Sequence, residues 1–210
     1  MHLKAIALLS GGLDSAVSML KAKEENEIVL AITFDYGQRA RINEIRASKN
    51  ICHKLNIEHK TIELPFMRDL HSELIGASHL PLANPWVSNR NGLFINIGAT
   101  YAENIKAGLL ICGFNREEAL TFPDNSVDFI AAINKSLHYS TMNHVKVKSF
   151  VSDMDKVEII KEGERLGLDF RYIWSCYQGG DKPCGKCISC LRNKRAFVKA
   201  GIKLNEDFIY

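Results

Sequence analysis

Ala5-Ile6-Ala7-Leu8-Leu9-Ser10-Gly11-Gly12-Leu13-Asp14-Ser15 is the stretch from which the fold can be read. Its first five residues are continuously apolar, as in a strand buried on both faces. The paired glycines form a turn, after which Ala16, Val17, Met19 and Leu20 fall at helical spacing. A buried strand turning through glycine into a helix opens a parallel α/β sheet, whose ligands bind beyond the carboxyl ends of the strands. Adjacent glycines let the backbone approach an anion, the helix N-terminus adds partial positive charge, and Ser10 and Ser15 supply hydroxyls. The turn therefore reads as a phosphate cradle. It is not a Walker loop, since no Gly-Lys-Ser/Thr follows, nor a dinucleotide fingerprint, since its glycines are adjacent.

Four more strands follow from apolar runs at residues 28–34, 61–64, 109–113 and 145–150. Helices are expected between them: one with Ile42, Ile45, Cys52 and Leu55 on a common face, and one over 93–106 stopped by Gly108. Another runs from an N-cap at Ser126 to about Tyr139, and a last one spans 156–166 before Gly167. Strand and helix alternate five times, the signature of a doubly wound, mostly parallel five-stranded sheet. Residues 65–92, with Pro65, Pro81 and Pro85, read as a long ordered loop. The apolar periodicity breaks near Trp174, which divides the chain into a body, 1–173, and a small appendage, 174–210.

An apolar fraction of 46% with 24% charged residues excludes a disordered chain. No apolar stretch approaches the 18 or so residues of a membrane helix, and the first strand is too short for a signal peptide, so a cytoplasmic location is expected. The net charge of +3 is unevenly spread: residues 182–203 hold seven Lys or Arg and no acid, leaving 20 basic against 24 acidic residues elsewhere. Such a basic stripe can track nucleic-acid phosphates, but only Phe197 offers an aromatic surface there, and the cations also suit a thiolate-bound metal.

Six cysteines divide into two lone residues, Cys52 and Cys112, and a cluster of Cys176, Cys184, Cys187 and Cys190. The C-x7-C-x2-C-x2-C spacing suits one tetrahedral structural zinc closed by four thiolates. An iron–sulfur cluster is the rival, although Leu191-Arg192 stands where ferredoxin motifs place Pro.

Ser10 to Ser15 resembles the SGGxDS motif of the N-type ATP pyrophosphatases, the PP-loop superfamily with an adenine nucleotide α hydrolase-like fold. With the terminal cysteines, and with Phe34-Asp35-Tyr36-Gly37-Gln38-Arg39, Arg90-Asn91, Pro123-Asp124 and Asp155-Lys156 in order, the chain resembles the QueC/ExsB family of preQ0 synthases. The resemblance implies ATP-dependent conversion of 7-carboxy-7-deazaguanine and ammonia to the 7-cyano product, through an acyl-adenylate and an amide. It implies nucleotide binding by Leu8, Leu9, Ser10, Gly11, Gly12, Leu13, Asp14, Ser15 and Phe34, with Asp14 near Mg2+. Catalytic roles fall on Asp14, Lys156 and Arg90, substrate contacts on Tyr36, Gln38, Arg39 and Asp124, and zinc binding on Cys176, Cys184, Cys187 and Cys190. A homodimer is expected, with neither membrane nor nucleic acid as a direct partner, and no stretch is spare for a glutaminase, so ammonia comes free or from a partner. The chain departs from the pattern at Ala40 and across residues 114–125. A ligase adenylating another carboxylate, or a zinc-containing tRNA-modifying enzyme, are the alternatives.

Overall fold

A computed structural model describes residues 2–76 and 84–202. Five strands, β1 (Lys4–Leu8), β2 (Glu27–Asp35), β3 (His59–Glu63), β4 (Leu109–Cys112) and β5 (Lys146–Ser149), form one sheet in the order β3-β2-β1-β4-β5. Every pairing is parallel. The expected doubly wound sheet is therefore present, and its order reverses beside β1, where an open α/β sheet places its ligand crevice.

Side chains alternate across β1. Ala5, Ala7 and Leu9 pack with helices α1 (Leu13–Lys23), α2 (Arg41–Leu55), α6 (Lys156–Arg165) and α7 (Ile188–Ala200), whereas Ile6 packs with α3 (Arg90–Asn104) and α5 (Val127–Ser140). A short α4 (Arg116–Ala119) follows β4. Ile159 and Ile160 of α6 are fully buried, each worth about 1.5–3 kcal/mol of apolar burial. The segment from Trp174 onward shares this first core through Cys176, Cys190, Ala196 and Phe197.

Three expectations need correction. Helix α3 begins at Arg90, three residues early, because Asn89 takes a left-handed φ of 55° and turns the chain into it. Its stop is Lys106 at φ 59°, not Gly108: the amides of Lys106 and Ala107 close onto Glu103 and Ala102, while Gly108 N–H already bonds Lys4 in the sheet. Ile42 is 69% exposed, so the buried face of α2 is instead Asn43, Ala47, Ser48, Ile51 and Cys52. Ser126 does cap α5, accepting from Phe129 N–H, and Gly167 follows α6 at φ 71°. In the long loop a 3-10 turn occupies Pro65–Asp69. Pro81, also expected in that loop, lies outside the described residues.

Both edges of the sheet carry lysine, Lys60 on β3 and Lys146 and Lys148 on β5. No helix among the described residues is long and apolar enough to cross a membrane.

Ser18 joins α1 to the ends of two strands. It is fully buried, donates to the Cys112 carbonyl at 2.6 Å and accepts from Phe150 N–H at 3.0 Å. Ser18→Ala strands both backbone groups, so urea unfolding is expected to show a loss of about 1–3 kcal/mol; an unchanged midpoint would contradict this account.

Candidate active site and metal centre

A cleft of about 240 Å³ opens beyond the carboxyl ends of the strands. Its floor is the turn between β1 and α1. Gly12 is the N-cap of α1 and has no side chain to satisfy the helix amides. Ser10 Oγ takes the Gly12 N–H at 3.3 Å, Ser15 Oγ takes the Ser10 N–H at 3.2 Å, and Leu13 N–H donates to Ser175 Oγ at 3.3 Å. Among the described residues, the Ser15 amide donates to no protein acceptor, and the Asp14 amide meets only its own carboxylate. A free amide at a helix N-terminus suits an anion.

Opposite this turn stands the N-terminus of α6. A capping box joins Asp155 and Glu158 and fixes the first turn, which places Lys156 over the cleft. Lys156 Nζ lies 2.6 Å from Asp14 Oδ2 and 3.7 Å from Glu118 Oε1. Burial alone would lower the Lys156 pKa, but Asp14 and then Glu118 hold it above its usual value, so the side chain stays charged. Burial raises Asp14 despite the pull of Lys156. Asp14 Oδ1 is buried and has no hydrogen-bond partner in the described structure.

A second polar group faces the same cleft from the far side. Arg90, the first residue of α3, donates to Tyr36 Oη at 3.4 Å and to Asn91 Oδ1 at 3.3 Å. Asp124 sits in a 3-10 turn and accepts from Asn125 at 3.0 Å through Oδ1, while its backbone carbonyl takes the Asn91 side-chain amide. Apolar walls come from Phe34 stacked on Phe94 at 4.1 Å, from Trp86 against Phe122 at 6.0 Å, and from Phe114 and Trp174.

Of the residues named from sequence, Leu8, Leu9, Ser10, Gly12, Asp14, Ser15, Phe34, Tyr36, Gln38, Arg90, Asp124 and Lys156 line the cleft. Gly11 and Leu13 lie behind it as buried support. Gln38 is 2% exposed and engaged inward, donating to Phe34 O and Glu44 and accepting from Tyr36 N–H. Arg39 is not among the lining residues and meets Gln178 at 3.4 Å.

Sequence reasoning passed over Glu44, Glu118, Phe94 and Trp174. The acidic pair Glu117-Glu118 directly after the fourth strand was the available signal for Glu118. For Glu44 it was an acid in the first turn of the helix that follows β2. Burial pushes the Glu44 carboxyl up to about 7, only partly offset by the Gln38 hydrogen bond and by Arg90. Cys112 also borders the cleft, but burial pushes its thiol up to about 12, which leaves it protonated and unreactive at neutral pH.

Behind the floor lies the four-cysteine group. The sulfurs of Cys176, Cys184, Cys187 and Cys190 all lie within 4.8 Å of one another. A tetrahedral ion with metal–sulfur bonds of about 2.3 Å needs sulfurs about 3.8 Å apart. Here Cys184 and Cys190 are 3.9 Å apart and Cys187 and Cys190 3.4 Å. The chain leading into this group is strapped over the turn: Trp174 N–H donates to Gly11 O at 2.7 Å, and Asn43 binds Gly180 O at 2.8 Å.

The fold superposes on that of a 4-thiouridine synthetase, solved as an RNA complex with bound ATP, with a TM-score of 0.61 at 19% identity over 95% of this chain and 50% of that one. This defines the class by fold, a parallel α/β domain with a five-stranded sheet. The chain belongs to the family described as Queuosine biosynthesis protein QueC, whose model matches residues 4–201. It is 44% identical over 220 residues to a 7-cyano-7-deazaguanine synthase of Pelotomaculum thermopropionicum, covering 96% of this chain and all of that one. To the 7-cyano-7-deazaguanine synthase of Carboxydothermus hydrogenoformans it is 47% identical over 209 residues, covering 92% and 97%.

Replacing one thiolate should open the four-sulfur site. Cys187→Ser is expected to lower the metal-to-protein ratio in elemental analysis and to depress the thermal midpoint; full metal retention would rule out a four-thiolate centre.

Proposed function

We propose that the chain converts 7-carboxy-7-deazaguanine, ATP and ammonia to 7-cyano-7-deazaguanine (preQ0), as an ATP-dependent carbon–nitrogen ligase. The observation that carries the reading is one cleft with two unlike ends: a free-amide helix terminus with Asp14 and Lys156, and an aromatic chamber with Arg90, Tyr36 and Asp124. The first end suits the triphosphate, the second a flat acid. The end-to-end likeness to synthases supplies the identity of that acid.

In this reading the substrate carboxylate attacks the α-phosphorus, forming an acyl-adenylate and releasing pyrophosphate. Ammonia then adds at the acyl carbon, AMP leaves with the carboxyl oxygen, and the amide loses a proton. The amide oxygen attacks a second ATP, and its departure as AMP with loss of two protons leaves the nitrile. Each activation releases one pyrophosphate and one AMP.

The Ser15 amide and the hydroxyls of Ser10 and Ser15 hold the pyrophosphate, stabilising charge where it develops. Leu8, Leu9 and Phe34 border the nucleotide. Lys156, held charged by its two carboxylates, neutralises phosphate oxygens, and Arg90, in the aromatic chamber, offsets the charge of the acid's carboxylate as it meets the α-phosphate. The orphaned Asp14 Oδ1, with Glu118 nearby, fits Mg2+, which would supply further neutralisation of the leaving pyrophosphate. The tight four-sulfur group fits a single structural Zn2+ better than a multi-iron cluster, whose own atoms hold the thiolates farther apart. On this reading residues 1–173 do the chemistry and 174–210 brace it. A homodimer belongs to the proposal, with exposed Phe66 and Leu70 at the start of the long loop as its apolar contribution. A cytoplasmic site of action belongs to it too, since none of the six cysteines forms a disulfide, which suits a reducing compartment. The protonated, buried Cys112 weighs against a thiolating role.

Incubation with ATP, Mg2+, ammonium and 7-carboxy-7-deazaguanine should yield the nitrile by mass spectrometry, with two AMP for each nitrile. Asp14→Ala should abolish AMP formation while circular dichroism and metal content stay unchanged. ATP turnover independent of the acid would overturn the proposal.

A further inference from the structure

We infer that Glu44 is a specificity residue, whose carboxylate accepts hydrogen bonds from the ring N–H and the neighbouring amino group of a 2-amino-4-oxopyrimidine edge. That edge distinguishes guanine-like bases from others. The inference rests on the function proposed above and names which wall of the cleft reads the base.

The argument begins with Gln38. Its side-chain amide donates one hydrogen to the Phe34 carbonyl at 2.9 Å and the other to Glu44 Oε2 at 2.8 Å, while its oxygen accepts Tyr36 N–H at 3.0 Å. A buried amide anchored at three points cannot turn, so Glu44 is held in one orientation at the cleft wall. Gln38 thus positions the acid and need not touch the substrate.

Glu44 itself is poorly satisfied. A carboxylate offers about four acceptor sites. Among the described residues, Glu44 receives one neutral hydrogen bond and no ion pair within 4.0 Å, although Arg90 lies near enough to act on it electrostatically. A shielded carboxylate with a single donor is costly, and its raised pKa reflects that cost. A ligand bringing two adjacent donors removes the deficit. Asp124 is placed differently: Arg90 is the chief offset to its burial, with the Asn125 amide second, whereas for Glu44 the neutral Gln38 amide comes first and Arg90 only after it. The walls beside Glu44 are flat and aromatic, with the Tyr36 and Phe94 rings tilted against each other at 5.4 Å. They accommodate a planar heterocycle whose edge meets the acid.

The test is a binding measurement that needs no turnover. Calorimetry would titrate 7-carboxy-7-deazaguanine, and its analogue lacking the 2-amino group, into wild type and Glu44→Gln without ammonium. Wild type should prefer the amino-bearing acid by at least about tenfold. Glu44→Gln should weaken that acid by about 10- to 100-fold and the analogue far less, erasing the preference, with ATP affinity and thermal midpoint unchanged. Equal losses for both acids would overturn the inference, as would a loss confined to ATP, or unchanged binding with a fallen kcat, which would make Glu44 a proton acceptor. Wild-type nitrile formation is assayed in parallel. If wild type converts the acid and Glu44→Gln binds both acids as wild type does, only the role of Glu44 falls. If wild type neither binds nor converts the acid, the functional reading falls and this inference with it.

Discussion

At Gly11 the backbone takes a φ of +77°, and a Cβ there would lie 2.5 Å from the Glu44 carbonyl and 2.9 Å from the Ala47 Cβ. The carbonyl of the same residue accepts the Trp174 N–H. Three parts of the chain therefore meet on one peptide unit: the turn after β1, the start of α2, and the strap leading to the cysteines. A similar constraint acts on the other side of the turn, where a Cβ on Gly113 would come within 2.5 Å of Ser15 N. Confined from both sides, the turn has its conformation set by the surrounding chain. Preorganisation of this kind is what electrostatic stabilisation of a leaving anion requires.

The sheet was legible because parallel strands covered on both faces leave continuous apolar runs, as in residues 5–9 and 109–112. The boundaries of α3 were not legible because its ends are turned by Asn89 and Lys106 in left-handed conformations, where a reader looks for glycine. Ile42 misled for a related reason. Apolar spacing counts it on the inner face of α2, but the face actually buried carries Asn43 and Ser48, polar residues with partners in the strap and at Leu9. In the cleft, the loop motif points to Asp14 and the resemblance to Lys156. Their pairing spans 142 residues of sequence and is a property of the fold alone. Glu44 and Glu118 carry no local signature, since what sets them apart is burial and the neighbour each one faces.

The uneven charge of the chain also has a place in this architecture. The acidic body contributes Asp14, Glu118, Glu44 and Asp124 to one cleft, where only Lys156 and Arg90 among the lining residues are cationic. The basic segment surrounds four sulfurs which, bound as thiolates to a divalent ion, leave a formal charge of −2. The two parts thus carry charges of opposite sign that nearly cancel in the total, which is why the total says little about a partner.

The lysines on the two outer strands bear on how copies of this chain could meet. An unpaired strand edge invites another strand, and a charged lysine along it opposes that addition. Lys60 reaches over the Tyr101 ring from one edge and Lys148 over the Phe150 ring from the other, so both are held against the borders they guard. Sheet extension from molecule to molecule is thereby disfavoured at both borders. Two copies that associate are left with helical and loop surfaces as the meeting ground, and the five strands remain a closed set.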